Sequence, residues 1–136
     1  MSWLKLFAAL ILGLGVSGCA GVGSAVEGKS SLSQTPEQLV MLRAQARWDA
    51  LLSGEINQAY GYISPAGRLG MPVTEYRLRV NMQYAKKAKV TGAKCEPELC
   101  EVSLNYDYVL NGLALSQAIT EKWILDSGEW WLVYRG

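Results

Sequence analysis

The chain has 136 residues, half of them apolar, and contains no histidine. That length holds one domain, and the missing histidine removes the side chain most used for acid–base work near neutral pH and the commonest metal ligand. Its 13 basic and 12 acidic side chains nearly cancel, so no electrostatic footprint for nucleic acid and no polybasic membrane patch is visible.

The N-terminus opens with Met1-Ser2-Trp3-Leu4-Lys5, which supplies one positive charge, and an apolar run follows from Leu6 to Val16. The run has the length of a signal-peptide core and is too short to cross a bilayer as a mature helix. Gly13, Gly15 and Gly18 weigh against a stable buried helix there. It ends in Val16-Ser17-Gly18-Cys19, which resembles the bacterial lipobox. The resemblance implies that residues 1–18 are a lipoprotein signal peptide and that Cys19 becomes lipidated; ordinary secretion is the alternative. One acyl chain at about 0.8 kcal/mol per methylene anchors only marginally. The resemblance implies several chains, palmitate among them, and so a stable membrane anchor in the bacterial envelope. Ala20 after the cysteine, in place of an acidic residue, favours the outer membrane facing the periplasm by the same resemblance. Removing residues 1–18 leaves 118, with 12 charges of each sign.

Residues 20–34 read AGVGSAVEGKSSLSQ, rich in Gly and Ser and without aromatics. They are expected to act as a flexible tether of about 20 Å root-mean-square reach. The folded domain is expected over residues 35–136.

Thr35 as N-cap, Pro36 at the first helical position and Gln38 closing a capping box predict the start of a helix. Val40, Ala44, Trp48, Leu51 and Leu52 form its apolar stripe, leaving Arg43, Gln45, Arg47 and Asp49 as a polar face, and Ser53-Gly54 ends it. A short second helix carries Ile56, Ala59, Tyr60 and Ile63, and Ser64-Pro65 stops it. Residues 74–84 fit both a strand and a helical face. A short helix through about Val80, with a strand from near Met82, is the reading adopted.

From there the pattern is sheet. Val102, Leu104, Tyr106, Tyr108 and Leu110 alternate with Glu101, Ser103, Asn105 and Asp107, predicting a strand over Cys100–Leu110. A loop at Asn111-Gly112 leads to a strand near Ala118–Leu125, and a turn at Asp126-Ser127-Gly128-Glu129 leads to a last strand over Trp130–Arg135. Helices followed by an antiparallel meander indicate an α+β fold.

Cys95 and Cys100 flank Glu96-Pro97-Glu98-Leu99. A four-residue hairpin loop sets them opposite each other, within reach of a disulfide. An exported domain meets an oxidising compartment, and a structural staple is the favoured reading. Zinc would need more ligands than two thiolates, and a redox pair usually has two intervening residues where this one has four. No metal and no cofactor is expected.

Ala46-Arg47-Trp48-Asp49-Ala50-Leu51-Leu52-Ser53-Gly54, Ala59-Tyr60 with Ser64-Pro65, the Cys95/Cys100 hairpin, Glu121-Lys122-Trp123 and Gly128-Glu129-Trp130-Trp131-Leu132-Val133 together resemble the NTF2-like superfamily, in its small lipid-anchored members. The resemblance covers nearly all of residues 35–136 and implies a curved sheet wrapped around helices as a cone with a concave pocket. Members include ketosteroid isomerase, polyketide cyclases and many non-catalytic binding modules, so the likeness leaves function open.

Enzymes of that fold place a carboxylate or histidine in the cone. Asp107 is the strand-borne aspartate here, but the alternation puts it opposite the Tyr106/Tyr108 face, and no catalytic residue is assigned. Trp48, Tyr60, Tyr62, Tyr106, Tyr108 and Trp123 are candidates for an aromatic ligand pocket; the competing reading is that they are core. Adjacent strand residues face opposite sides, so one of Trp130 and Trp131 should lie inside and the other outside, on a possible contact surface. The expected function is a non-catalytic binding or assembly module of the envelope, associating with itself or another envelope protein. Capture of a small apolar ligand is the alternative, and an isomerase-like enzyme a third.

Overall fold

The structure, a computed structural model, describes residues 33–135. The signal peptide, Cys19 and most of the tether lie outside the described residues. Residues Leu32–Gly136 form a compact unit of their own, and its core is drawn from residues between Val40 and Tyr134.

Helix α1 spans Pro36–Leu52. Thr35 Oγ1 accepts from the Gln38 amide at 3.3 Å while Gln38 Oε1 accepts from the Thr35 amide at 2.9 Å. These reciprocal bonds satisfy donors that a helix start leaves open. The helix ends at Ser53, whose amide and hydroxyl both donate to the Asp49 carbonyl. Three short helices follow: α2 over Ile56–Tyr60, α3 over Pro65–Gly70 and α4 over Val73–Arg79. The sequence reading missed α3. Ser64 and Pro65 stop α2, but Ser64 Oγ also accepts from the Gly67 amide and caps a new turn with proline at its first position. The ambiguous segment resolves as helix up to Arg79, and the first strand begins at Ala85 rather than near Met82.

The sheet is a four-stranded antiparallel meander in the order β1 (Ala85–Cys95), β2 (Leu99–Leu110), β3 (Leu113–Asp126), β4 (Glu129–Leu132). Its two tight turns use residues with positive φ: Asn111 at 51° with Gly112 at 79°, and Ser127 at 53° with Gly128 at 81°. Both pairs suit two-residue hairpins, whose backbone matches the twist of the strands. That tight turn lets β3 start at Leu113, five residues before the expected Ala118. β4 ends at Leu132, short of the expected Arg135.

Helix α1 lies across one face of the sheet. Val40, Ala44, Trp48, Ala50 and Leu51 are buried against Ala88, Val102, Leu104, Trp123, Trp130 and Leu132. The open edges are covered in different ways. The segment at Ile63 bridges Leu132 in parallel, with the Leu132 amide donating to Tyr62 and the Ser64 amide to Leu132. On the β1 side, Gln45 takes the Val90 amide on Oε1 at 2.9 Å and donates from Nε2 to the Ala88 carbonyl at 3.0 Å. Its side-chain amide thus stands in for a neighbouring strand, and exposed Lys87 and Lys89 further blunt that edge. Cys95 and Cys100 are register partners and form a disulfide. Among the described residues no helix is long and apolar enough to cross a membrane.

Candidate functional site

Arg47 was expected on the polar face of α1; the structure corrects this. Its side chain is only 4% exposed, and Nη1 lies 2.6 Å from Oε1 of Glu121, itself 8% exposed. An unpaired buried ion costs several kcal/mol, so the two positions specify each other. Arg47 enters the interior because β3 turns Glu121 inward, between Ile119 and Trp123 on the same face, within reach of the long Arg47 side chain on α1. The sequence held one signal of this: Glu121 occupies a position that alternates with the core-facing Trp123.

Three donors converge on that carboxylate. Oε1 accepts from Arg47 and from Trp48 Nε1 at 2.9 Å, and Oε2 accepts from Trp123 Nε1 at 3.2 Å. Arg47 Nη2 donates to the Tyr76 hydroxyl at 3.3 Å. Burial pushes the Tyr76 phenol above its ordinary pKa, with the Arg47 charge opposing. The network therefore joins α1, α4 and β3 beneath the sheet. Arg47 Nε is buried and has no hydrogen-bond partner among the described residues.

A cleft of about 500 Å³ opens over this floor. Trp48, Leu51 and Ile119 line it with Tyr106; Val80–Met82 and the segment Val133–Arg135 close its sides. Trp48 and Tyr106 are in ring contact at 5.4 Å, and Tyr106 stacks on Tyr108 at 5.5 Å. Burial raises the Tyr106 pKa, with Tyr108 adding to it.

Of the aromatic residues singled out from sequence, Trp48 and Tyr106 line the cleft. Tyr108 adjoins it through Tyr106. Trp123 is wholly buried and serves as a donor beneath the floor. Tyr60 sits elsewhere, its hydroxyl donating to the Arg68 and Met71 carbonyls and its ring against Tyr76. Tyr62 packs edge-on against Trp123 under Arg43. Asp107 faces away from the cleft and accepts from Ser116 Oγ at 2.6 Å.

The tandem tryptophans divide as well. Trp130 is buried, so it is unavailable as a contact residue. Trp131 is half-buried, with Arg43 and Arg68 near its ring at 5.4 and 5.7 Å. Exposed positions on the outer sheet face are mainly polar, Glu101, Ser103, Asn105, Thr120 and Lys122 among them. Among the described residues no group of three or more potential metal ligands is present.

No family model matches the chain, and no curated protein matches it. Among solved structures it is similar to a SEC-C motif containing protein from Rhodopseudomonas palustris, with a TM-score of 0.54 at 14% identity over 65% of this chain and 70% of that one. At that identity the likeness concerns the fold alone: a small α+β domain with helices packed on an open antiparallel sheet.

Proposed function

We propose that the chain is a lipid-anchored envelope protein of NTF2-like form whose domain is a non-catalytic binding module, and that it binds through the cleft above Arg47 and Glu121. The anchoring half rests on the charge, apolar run and Val16-Ser17-Gly18-Cys19 in that order. The binding half rests on one observation: aromatic and aliphatic walls converge on a polar floor formed by Arg47 and Glu121. Such a mix suits a ligand site, where apolar walls give affinity and a few polar groups fix orientation.

Glu121 is the buried acid that an isomerase-like reading would require. Its oxygens accept from three protein donors and its side chain is 8% exposed, so the carboxylate is engaged in the packing of α1 on β3 and is not presented to a substrate. The non-catalytic reading is therefore preferred. Association through the outer sheet face is the weaker alternative, because Trp130 is buried and the exposed positions of that face are mainly polar.

Two measurements test the proposal. Cells expressing the chain and fed labelled palmitate should label it, and Cys19→Ser should abolish the label; equal labelling of both would refute the anchor. Binding of a neutral apolar fluorophore to the domain should be weakened by Ile119→Asp on the cleft wall. Absence of binding, or binding indifferent to that change, would remove the cleft reading.

A further inference from the structure

The cleft is not closed at the hairpin end of the sheet. Register pairs Tyr106 with Gln117, Tyr108 with Leu115 and Leu110 with Leu113, and positions two apart on a strand share a face. The face that forms the cleft thus continues along β2 and β3 as Tyr106, Tyr108, Leu115, Leu110 and Leu113. Leu110, Leu113 and Leu115 are 41, 65 and 39% exposed. The pair Val102–Glu121 and the pair Leu110–Leu113 stand eight residues apart on β2. At about 3.3 Å per residue that is roughly 25 Å. One end of this strip is apolar and exposed, and the other carries the nearly buried Arg47 guanidinium.

We propose that this strip binds a long-chain fatty acid, its carboxylate accepting from the Arg47 guanidinium and its single chain lying along Trp48, Tyr106 and Tyr108 to the leucines of the hairpin. The inference rests on the cleft-binding reading and names its ligand class. A guanidinium has five N–H donors, and Arg47 uses one on Glu121 and one on Tyr76. Arg47 lines the cleft, and its buried Nε has no partner among the described residues. Because Glu121 already balances Arg47, the charge of an added carboxylate falls to Arg135, which also lines the cleft. A narrow polar floor suits a carboxylate better than a bulky phosphodiester headgroup. The strip's length and unbranched row of rings suit one extended chain better than a compact ring system.

The test uses residues 32–136, the compact unit, with the neutral dye N-phenyl-1-naphthylamine as reporter. Palmitate should displace the dye. Octanoate should do so at least a hundredfold more weakly, since each buried methylene is worth about fourfold. Hexadecanol, which lacks the anionic head, should be at least tenfold weaker than palmitate. The paired change Leu113→Asn and Leu115→Asn alters exposed side chains, which leaves folding intact; it should weaken palmitate at least tenfold and leave octanoate unchanged. Dye that stays bound while palmitate fails to displace it would overturn this inference and leave the cleft reading standing. Equal displacement by palmitate and octanoate would do the same, as would displacement by lysophosphatidylcholine alone. A dimer in native mass spectrometry that persists in palmitate and is lost in the leucine variant would overturn it in favour of a second copy on the strip. No binding of the dye, with tryptophan emission indifferent to palmitate, would overturn both.

Discussion

Arg47 Nη1 lies 2.6 Å from Glu121 Oε1, although 74 residues separate them in the chain. Both side chains are nearly excluded from water, so removing either leaves the other charged and unpaired. Arg47→Ala or Glu121→Ala is expected to cost about 3–5 kcal/mol of stability, read from urea unfolding, and the double change should cost less than the two single losses added together. Full additivity would show that the pair is not coupled. Glu121→Gln keeps one acceptor for the indole donors and should be the mildest of the single changes.

Tyr76 is expected to make the domain sensitive to alkali. Burial raises its phenol above the ordinary 10.0, so the folded chain holds that proton more tightly than the unfolded chain does. The stability this represents is intact below pH 10.0 and is lost as pH rises through the higher folded value. Tyr76→Phe should lower stability at neutral pH by about 1–3 kcal/mol, the scale of a hydrogen bond to a charged group. It should also flatten the fall in Tm above pH 10.0. A variant whose alkaline fall matches that of the parent would assign the sensitivity to another group.

The tandem tryptophans are expected to differ sharply. Trp130 is buried in the core, and Trp130→Ala should cost about 3–5 kcal/mol. Trp131→Ala chiefly gives up contact with two arginines, each worth about 0.5–1 kcal/mol at exposed sites. Differential scanning calorimetry of the two variants decides; comparable losses would contradict the inside–outside division.

Gln45 is expected to matter beyond its place on a helix surface. Gln45→Ala frees the Ala88 carbonyl and the Val90 amide at the β1 edge and should cost about 1–3 kcal/mol. Hydrogen exchange at the Val90 amide reads this directly. Unchanged protection there would mean that the clamp is dispensable.

The Cys95–Cys100 disulfide closes a short loop, for which chain entropy gives about 2 kcal/mol. Replacing both cysteines by alanine should lower stability by about that amount and leave the fold, since the β1–β2 ladder continues beyond the pair. A chain that fails to fold without the bond would show that the hairpin depends on it.

How well each element could be read from sequence followed how local its cause is. The capping box at Thr35 and Gln38, the alternation from Cys100 to Leu110 and the turn at Asp126–Glu129 are set by residues within a few positions of one another, and they stand where the sequence put them. The four-residue spacing of Cys95 and Cys100 likewise predicted their pairing. Residues 74–84 were ambiguous because Tyr76 and Val80 satisfy a helical and an alternating pattern alike. Burial of Tyr76 against Arg47 and Tyr134 accompanies the helical outcome. Helix α3 was missed because one serine both follows the end of one helix and caps the next.

The sequence by itself determined the order of elements apart from α3, the α+β class, the hairpin staple and the stripe that α1 buries, because each follows from periods and caps within one segment. Only the tertiary structure decided the site. Packing of α1 on the sheet brings Arg47 from an apparently polar face onto Glu121 of β3. Register between β2 and β3 carries Tyr106, Tyr108 and three exposed leucines onto one face. Neither relationship leaves a mark within a short window of sequence, since each joins side chains on different elements whose mutual burial is settled only when the chain has packed.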